Sequence, residues 1–163
     1  MTINVSHRVH HIYQGDWFYC WAAAIAMVRR GHSIDAAFRA ADNARAAGVV
    51  VPVGERLREA DIPRVVRANH LRLGTVPRPL TPQGMAGLIA RGPAALFVTL
   101  SSVEAASVAS SGHVYVLSAV RGDGSPTGTT IYVHDPFERA GLLNATFQVF
   151  TTETIRSIDY VAH

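Results

Sequence analysis

The chain has 163 residues, 48% of them apolar and 17% charged, and carries a net charge of +3. That length fits one domain, residues 1–163, with a sizeable buried core, and the apolar share excludes a disordered tail. No apolar run reaches the roughly 20 residues of a membrane span, and Met1–His7 lacks the basic-then-apolar plan of a signal peptide.

All 15 basic residues are arginine. They run from Arg8 to Arg156 without a dense cluster, which argues against a nucleic-acid partner. Absence of lysine fits codon bias in a GC-rich genome. The less favoured reading is a protein delivered into a eukaryotic cell, where a chain without ubiquitin acceptors has an advantage. One cysteine excludes an internal disulfide and leaves the redox compartment open.

In chain order, residues 1–13 read as an extended lead-in with His7, His10 and His11 as surface histidines. No HExxH pattern accompanies them, so no metal site is expected. The run Cys20-Trp21-Ala22-Ala23-Ala24-Ile25-Ala26-Met27-Val28 is apolar on every side, the composition of a buried helix. The expected span is about Trp17 to Arg30, with Asp16 as N-cap and Gly31 as stop. Ser33 caps a second helix, Ile34 to Ala47, ended by Gly48. Val49 to Pro52 connect to two short helices, Gly54 to Ala60 and Pro63 to Asn69, the latter with proline in its first turn. Leu71 to Val76 reads as a short strand, and Thr81-Pro82 opens a helix to about Ala90.

From here the pattern changes. Ala94 to Leu100 is a buried strand, and Ser101 to Ser111 a small-residue loop or weak helix. Val114 to Val120 and Thr130 to His134 are strands joined by the turn formers Gly122 to Gly128. Phe147 to Thr151 and Ile158 to Val161 complete the strands. A helical first half before a strand-rich second half predicts an α+β fold, with the central helix packed on an antiparallel sheet.

Cys20 falls in the first turns of its helix, where free N–H groups and the positive end of the dipole favour thiolate. Six residues earlier, Gln14 can offer a side-chain N–H to an oxyanion. A cysteine nucleophile needs a base and an orienting partner. His113 opens one strand and Asp135 follows the next, so antiparallel pairing would bring the carboxylate to the imidazole. Pro136 then ends that strand. His134 competes as base, but alternation turns it away from Val133 and Asp135.

Gln14, Cys20-Trp21, Gly112-His113 and His134-Asp135-Pro136, in that order and spacing, resemble a papain-like cysteine peptidase over residues 14 to 137. Arg91-Gly92-Pro93-Ala94 before a strand is similar to the sheet entry of the compact bacterial forms, among them secreted effector proteases and the leader peptidases of ABC transporters. Leader peptidases usually have Cys-Gly where this chain has Cys20-Trp21, which favours the effector-like branch.

The resemblance implies a Cys20–His113–Asp135 triad, and an oxyanion hole from Gln14 and the Cys20 backbone. Trp17, Tyr19 and Gly112 are then candidates for substrate contacts. It needs no metal or cofactor. A protein substrate is implied, and a producer would need a restraint such as a cognate immunity or inhibitor protein. No propeptide precedes Cys20, so the expectation is a protein made in the cytoplasm and exported by a specialised system, as an effector or toxin. A glutamine deamidase or transglutaminase, a double-glycine leader peptidase and an inactive binding module stay open as alternatives.

Overall fold

A computed structural model describes residues 2–15, 19–52, 55, 57–100 and 112–163, with the backbone alone at 154, 156, 157, 159 and 160. The apolar run becomes α1, Cys20–Val28, in which every residue from Trp21 to Met27 is buried. Its alanines let backbones approach closely, so α1 packs against both α2 (Ile34–Ala46) and the sheet. Helix α1 is shorter than expected. Its N-cap is Tyr19 rather than Asp16, and Arg29 is its C-cap. Gly48 closes α2 as expected, with Val49 N–H bonding the Ala44 carbonyl at 3.0 Å.

A 3₁₀ turn, Glu59–Asp61, leads into α3, Ile62–Ala68, with Pro63 in its first turn. The expected helix before it is not formed at Glu55 or at residues 57–58; Val53, Gly54 and Arg56 lie outside the described residues. Helix α4, Pro82–Leu88, starts at Thr81, whose hydroxyl accepts the Gly84 N–H at 3.0 Å.

Among the described residues seven strands form one antiparallel sheet: β1 (Ile3–Ser6), β2 (Leu73–Gly74), β3 (Ala94–Leu100), β4 (Gly112–Gly122), β5 (Thr129–His134), β6 (Leu142–Thr146) and β7 (Ile155–Ala162). Their order is β2-β7-β3-β4-β5-β6, with β1 pairing the far end of β4. Period-two alternation sends successive side chains to opposite layers. Ala95, Phe97, Val114 and Val116 meet α1, α2 and α3, whereas Leu96, Val98, Tyr115 and Leu117 meet α4 and the C-terminal turns. Helices therefore cover both faces of the α+β fold.

Two segments differ from expectation. Ile3–Ser6 is a paired strand, because Ile3 and Val5 alternate onto the α4 layer. Phe147–Thr151 is not a strand. It forms α5, Phe147–Val149, running on into a wide π turn, Phe150–Thr154. The Thr146 hydroxyl accepts the Val149 N–H, Thr151 and Thr152 hydroxyls donate to carbonyls one turn back, and Phe147 and Phe150 are both buried. Local hydroxyl bonding and the burial of Phe147 and Phe150 against the α4 layer outweigh β propensity there. The strand instead lies just before it, as β6.

Candidate active site

Strand register builds the centre of the site. β4 and β5 pair antiparallel with Val116 opposite His134, so the residue after β5 reaches back towards the start of β4. His113 donates its Nε2–H to Asp135 Oδ1 at 2.7 Å, with 15% and 10% of the two side chains exposed. The same Oδ1 accepts the backbone N–H of Phe137 at 2.9 Å, and the Asp135 N–H bonds the Gly141 carbonyl at 2.8 Å. The carboxylate is thus held by a tight turn rather than left to a free rotamer.

Cys20, the first residue of α1, is half-buried and lies within electrostatic reach of the His113 side chain. With Nε2 committed to Asp135, the ring nitrogen left for the sulfur is Nδ1. Burial acts to lower the His113 pKa, but the hydrogen bond to Asp135, the neighbouring Cys20 sulfur and the charges of both groups overcome it and push it up to about 10. Tyr19 caps α1 with no side-chain hydrogen bond, leaving the N–H of Cys20 unclaimed by a side-chain cap.

Gln14 is buried, and its N–H bonds the Pro136 carbonyl at 2.8 Å, tying the lead-in segment to the Asp135 turn. Its Oε1 has no hydrogen-bond partner among the described residues. Tyr19 is half-buried with its ring edge-on to Trp21, 6.1 Å between centroids. Gly112 is exposed, opposite Thr99 in β3, with open space where a side chain would stand. Trp17 lies outside the described residues.

Several neighbours were not legible beforehand. Tyr115, two residues along β4, presents its ring to His113 at 4.8 Å, and burial followed by the Asp135 and Glu138 charges raises its phenol pKa. His134 lies on the opposite side of β5 from Asp135, as alternation requires, and stacks on His11. His11 is therefore not a surface histidine. His7 is also engaged, its Nε2 meeting the Ile89 carbonyl at 2.6 Å. Alternation along β5 already turns His134 away from Asp135 in the sequence; nothing in the local sequence marks His11 as its partner. Among the described residues no group of three or more His, Cys, Asp or Glu could hold a metal.

No curated protein matches the chain. The family model for the papain-like cysteine protease AvrRpt2 matches residues 3–154, from β1 to the turn before β7. This span takes in every element that carries the Cys20, His113 and Asp135 cluster, and the chain belongs to the family of papain-like cysteine proteases described as AvrRpt2.

Proposed function

We propose that this cysteine peptidase cleaves a protein target through Cys20 as nucleophile, His113 as general base and acid, and Asp135 as the orienting residue. The observation that carries the reading is the 2.7 Å hydrogen bond between His113 and Asp135 with Cys20 beside the same imidazole, three residues drawn from α1, β4 and the end of β5. Cys20 and His113 act as a thiolate–imidazolium pair, and the thiolate attacks the scissile carbonyl carbon. The Cys20 N–H and the Gln14 amide bind the oxyanion, each donor contributing about 3 kcal/mol in comparable sites. His113 passes its proton to the leaving amine, then takes one from water as that water attacks the thioester. Asp135 keeps the ring aligned throughout and compensates its charge.

Deployment as an exported effector or toxin is part of the same proposal. Its support is the likeness of the Cys20-Trp21 and Gly112-His113 patches to compact secreted proteases, together with a chain whose basic residues are all arginine. Such a protein would be matched in its producer by an immunity or inhibitor protein.

The test is incubation of the parent and of Cys20→Ala with a whole-cell lysate, followed by mass spectrometry of new protein N-termini. New N-termini with the parent alone are the expected result. Equal products from both proteins overturn the nucleophile assignment. A mass gain of about one dalton on glutamine side chains, without chain cleavage, replaces hydrolysis by deamidation; it would leave the same triad in use.

A further inference from the structure

His134 is buried and His11 half-buried beside it, a pair that peptide hydrolysis does not use. Their rings stack with centroids 5.9 Å apart and planes 20° from parallel. Neither nitrogen of His11, nor Nδ1 of His134, has a hydrogen-bond partner among the described residues. Buried polar atoms without partners are costly and call for an explanation. The pair touches the site from two directions. His134 is the neighbour of Asp135 in sequence. His11 fills the space under Gly141, where a Cβ would come 2.3 Å from its ring. The Gly141 carbonyl in turn accepts the Asp135 N–H. Gly141 has φ +75, so the turn from Asp135 to Gly141 is closed by a backbone shape that favours glycine and rests on the imidazole.

We propose that the His11–His134 stack is a positioning element for Asp135, which holds the Asp135–Gly141 turn only while both rings are uncharged. Protonation of this stack, rather than of the Cys20–His113 pair, then sets the acid limit of the enzyme. The inference rests on the reading of Asp135 as the orienting residue.

The charged groups around the pair are few. Asp135 follows His134 on β5 and carries charge towards His11. Glu138 lies in the turn with its backbone within electrostatic reach of His11, outside hydrogen-bonding geometry. Arg139 is drawn over the Tyr13 ring at 5.4 Å. The strand positions opposite His134, Val116 on β4 and Leu142 on β6, are apolar. Burial lowers the His11 pKa, with Glu138 and Asp135 opposing; burial and then the His11 charge lower that of His134 to about 4. A pKa depressed in the folded state means that the unfolded chain binds protons first. Stability tied to the pair is therefore full above about 6.5 and lost as pH falls towards 4. Two imidazoliums in one stack repel, and the turn they support opens.

The experiment follows the rate of Cys20 alkylation by iodoacetamide against pH, which needs no knowledge of the target. The comparison includes the parent, His11→Phe with His134→Phe, His11→Ala, and Asp135→Ala. The phenylalanine double variant keeps a stack that cannot be protonated, and its acid limb should move down by at least half a pH unit with the neutral-pH rate within threefold of the parent. His11→Ala, which leaves the turn unsupported, should lose more than fivefold at neutral pH. A second measurement on Cys20→Ala follows the His11 and His134 ring signals by NMR, and their protonation should coincide with the acid limb of the parent. An unchanged limb in the double variant overturns the inference, as does a parental limb lying where both rings are still neutral. Parental alkylation in Asp135→Ala instead overturns the triad reading on which the inference rests, so the two failures are distinguishable.

Discussion

His113 meets Asp135 through Oδ1, the same oxygen that accepts the backbone N–H of Phe137. Two donors converge on one acceptor, so the geometry asks for an oxygen at that position and only secondarily for a charge. Asp135→Asn keeps an oxygen there, and an imidazolium still donates to it from Nε2. We expect Asp135→Asn to lose about tenfold in kcat/KM and Asp135→Ala about 10² to 10³, within the range of misplaced general bases. Kinetics on a cleaved target identified from lysate measure both. Equal losses would mean that the charge, not the alignment, is what matters.

The pH dependence of stability follows from the same pair. His113 is raised from 6.5 to about 10 in the folded protein, so its contribution is full below about 6.5 and is lost as pH rises through about 10. Urea midpoints of the reduced parent should fall steadily between pH 7 and 10. In Asp135→Asn the fall should be shallower, because one hydrogen bond to a charged acceptor and one charge that favour the imidazolium are gone. A parental profile flat over that interval would contradict the coupling.

What was legible in the sequence was what a residue carries with it. Cys20 before an apolar run, a strand opening at His113 and a strand closing before Asp135 are local patterns, and antiparallel pairing brings their ends together. Thr81-Pro82 and Gly48 mark their helix ends because the side chain, or the lack of one, acts within a turn. What could not be read depends on distant partners. Ile3–Ser6 becomes a strand only because the far half of β4 has a free edge, and His11 is drawn off the surface only because Gly141 and His134 arrive around it. Phe147–Thr151 has the aromatic and β-branched composition of a strand, while hydroxyl-to-carbonyl bonds across one turn accompany the helix it forms.

Asn69 supplies a prediction about the frame behind the site. It is fully buried at the end of α3, donating from Nδ2 to the Ala40 carbonyl at 3.1 Å and the Val65 carbonyl at 3.0 Å. Its Oδ1 accepts from Asn43 at 3.2 Å and from Arg29 at 3.4 Å. One amide thus links α2, α3 and the end of α1. Asn69→Ala leaves two carbonyls and the Asn43 donor short of a partner and should cost about 2–4 kcal/mol. Asn69→Asp should cost more, since its oxygens would face the carbonyls that the amide now serves. Urea denaturation reads both. Cys20 alkylation below the transition should stay within twofold of the parent, because Asn69 lies at the opposite end of α1 from the thiol.

Arg30 and Gly31 offer neighbouring substitutions with opposite signs. Helix α1 ends in a Schellman motif: the Gly31 N–H reaches the Ala26 carbonyl at 2.7 Å and the Arg30 N–H the Met27 carbonyl at 3.0 Å. The left-handed position of that motif belongs to Arg30, at φ 60, and not to the glycine after it. A side chain there costs about 1–2 kcal/mol, which glycine avoids while losing part of the gain to unfolded-state entropy. Arg30→Gly should therefore stabilise the protein by about 0.5–1 kcal/mol. Gly31 serves a different need, since a Cβ there would lie 2.7 Å from the Ala36 Cβ and 3.0 Å from the Ala26 carbonyl oxygen. Gly31→Ala forces α1 and α2 apart and should destabilise by about 1–3 kcal/mol, the usual cost of overpacking. Urea midpoints moving in opposite directions check the pair. A gain from Gly31→Ala would mean that the two helices do not meet at that point, and a loss from Arg30→Gly that the arginine side chain contributes more than its backbone costs.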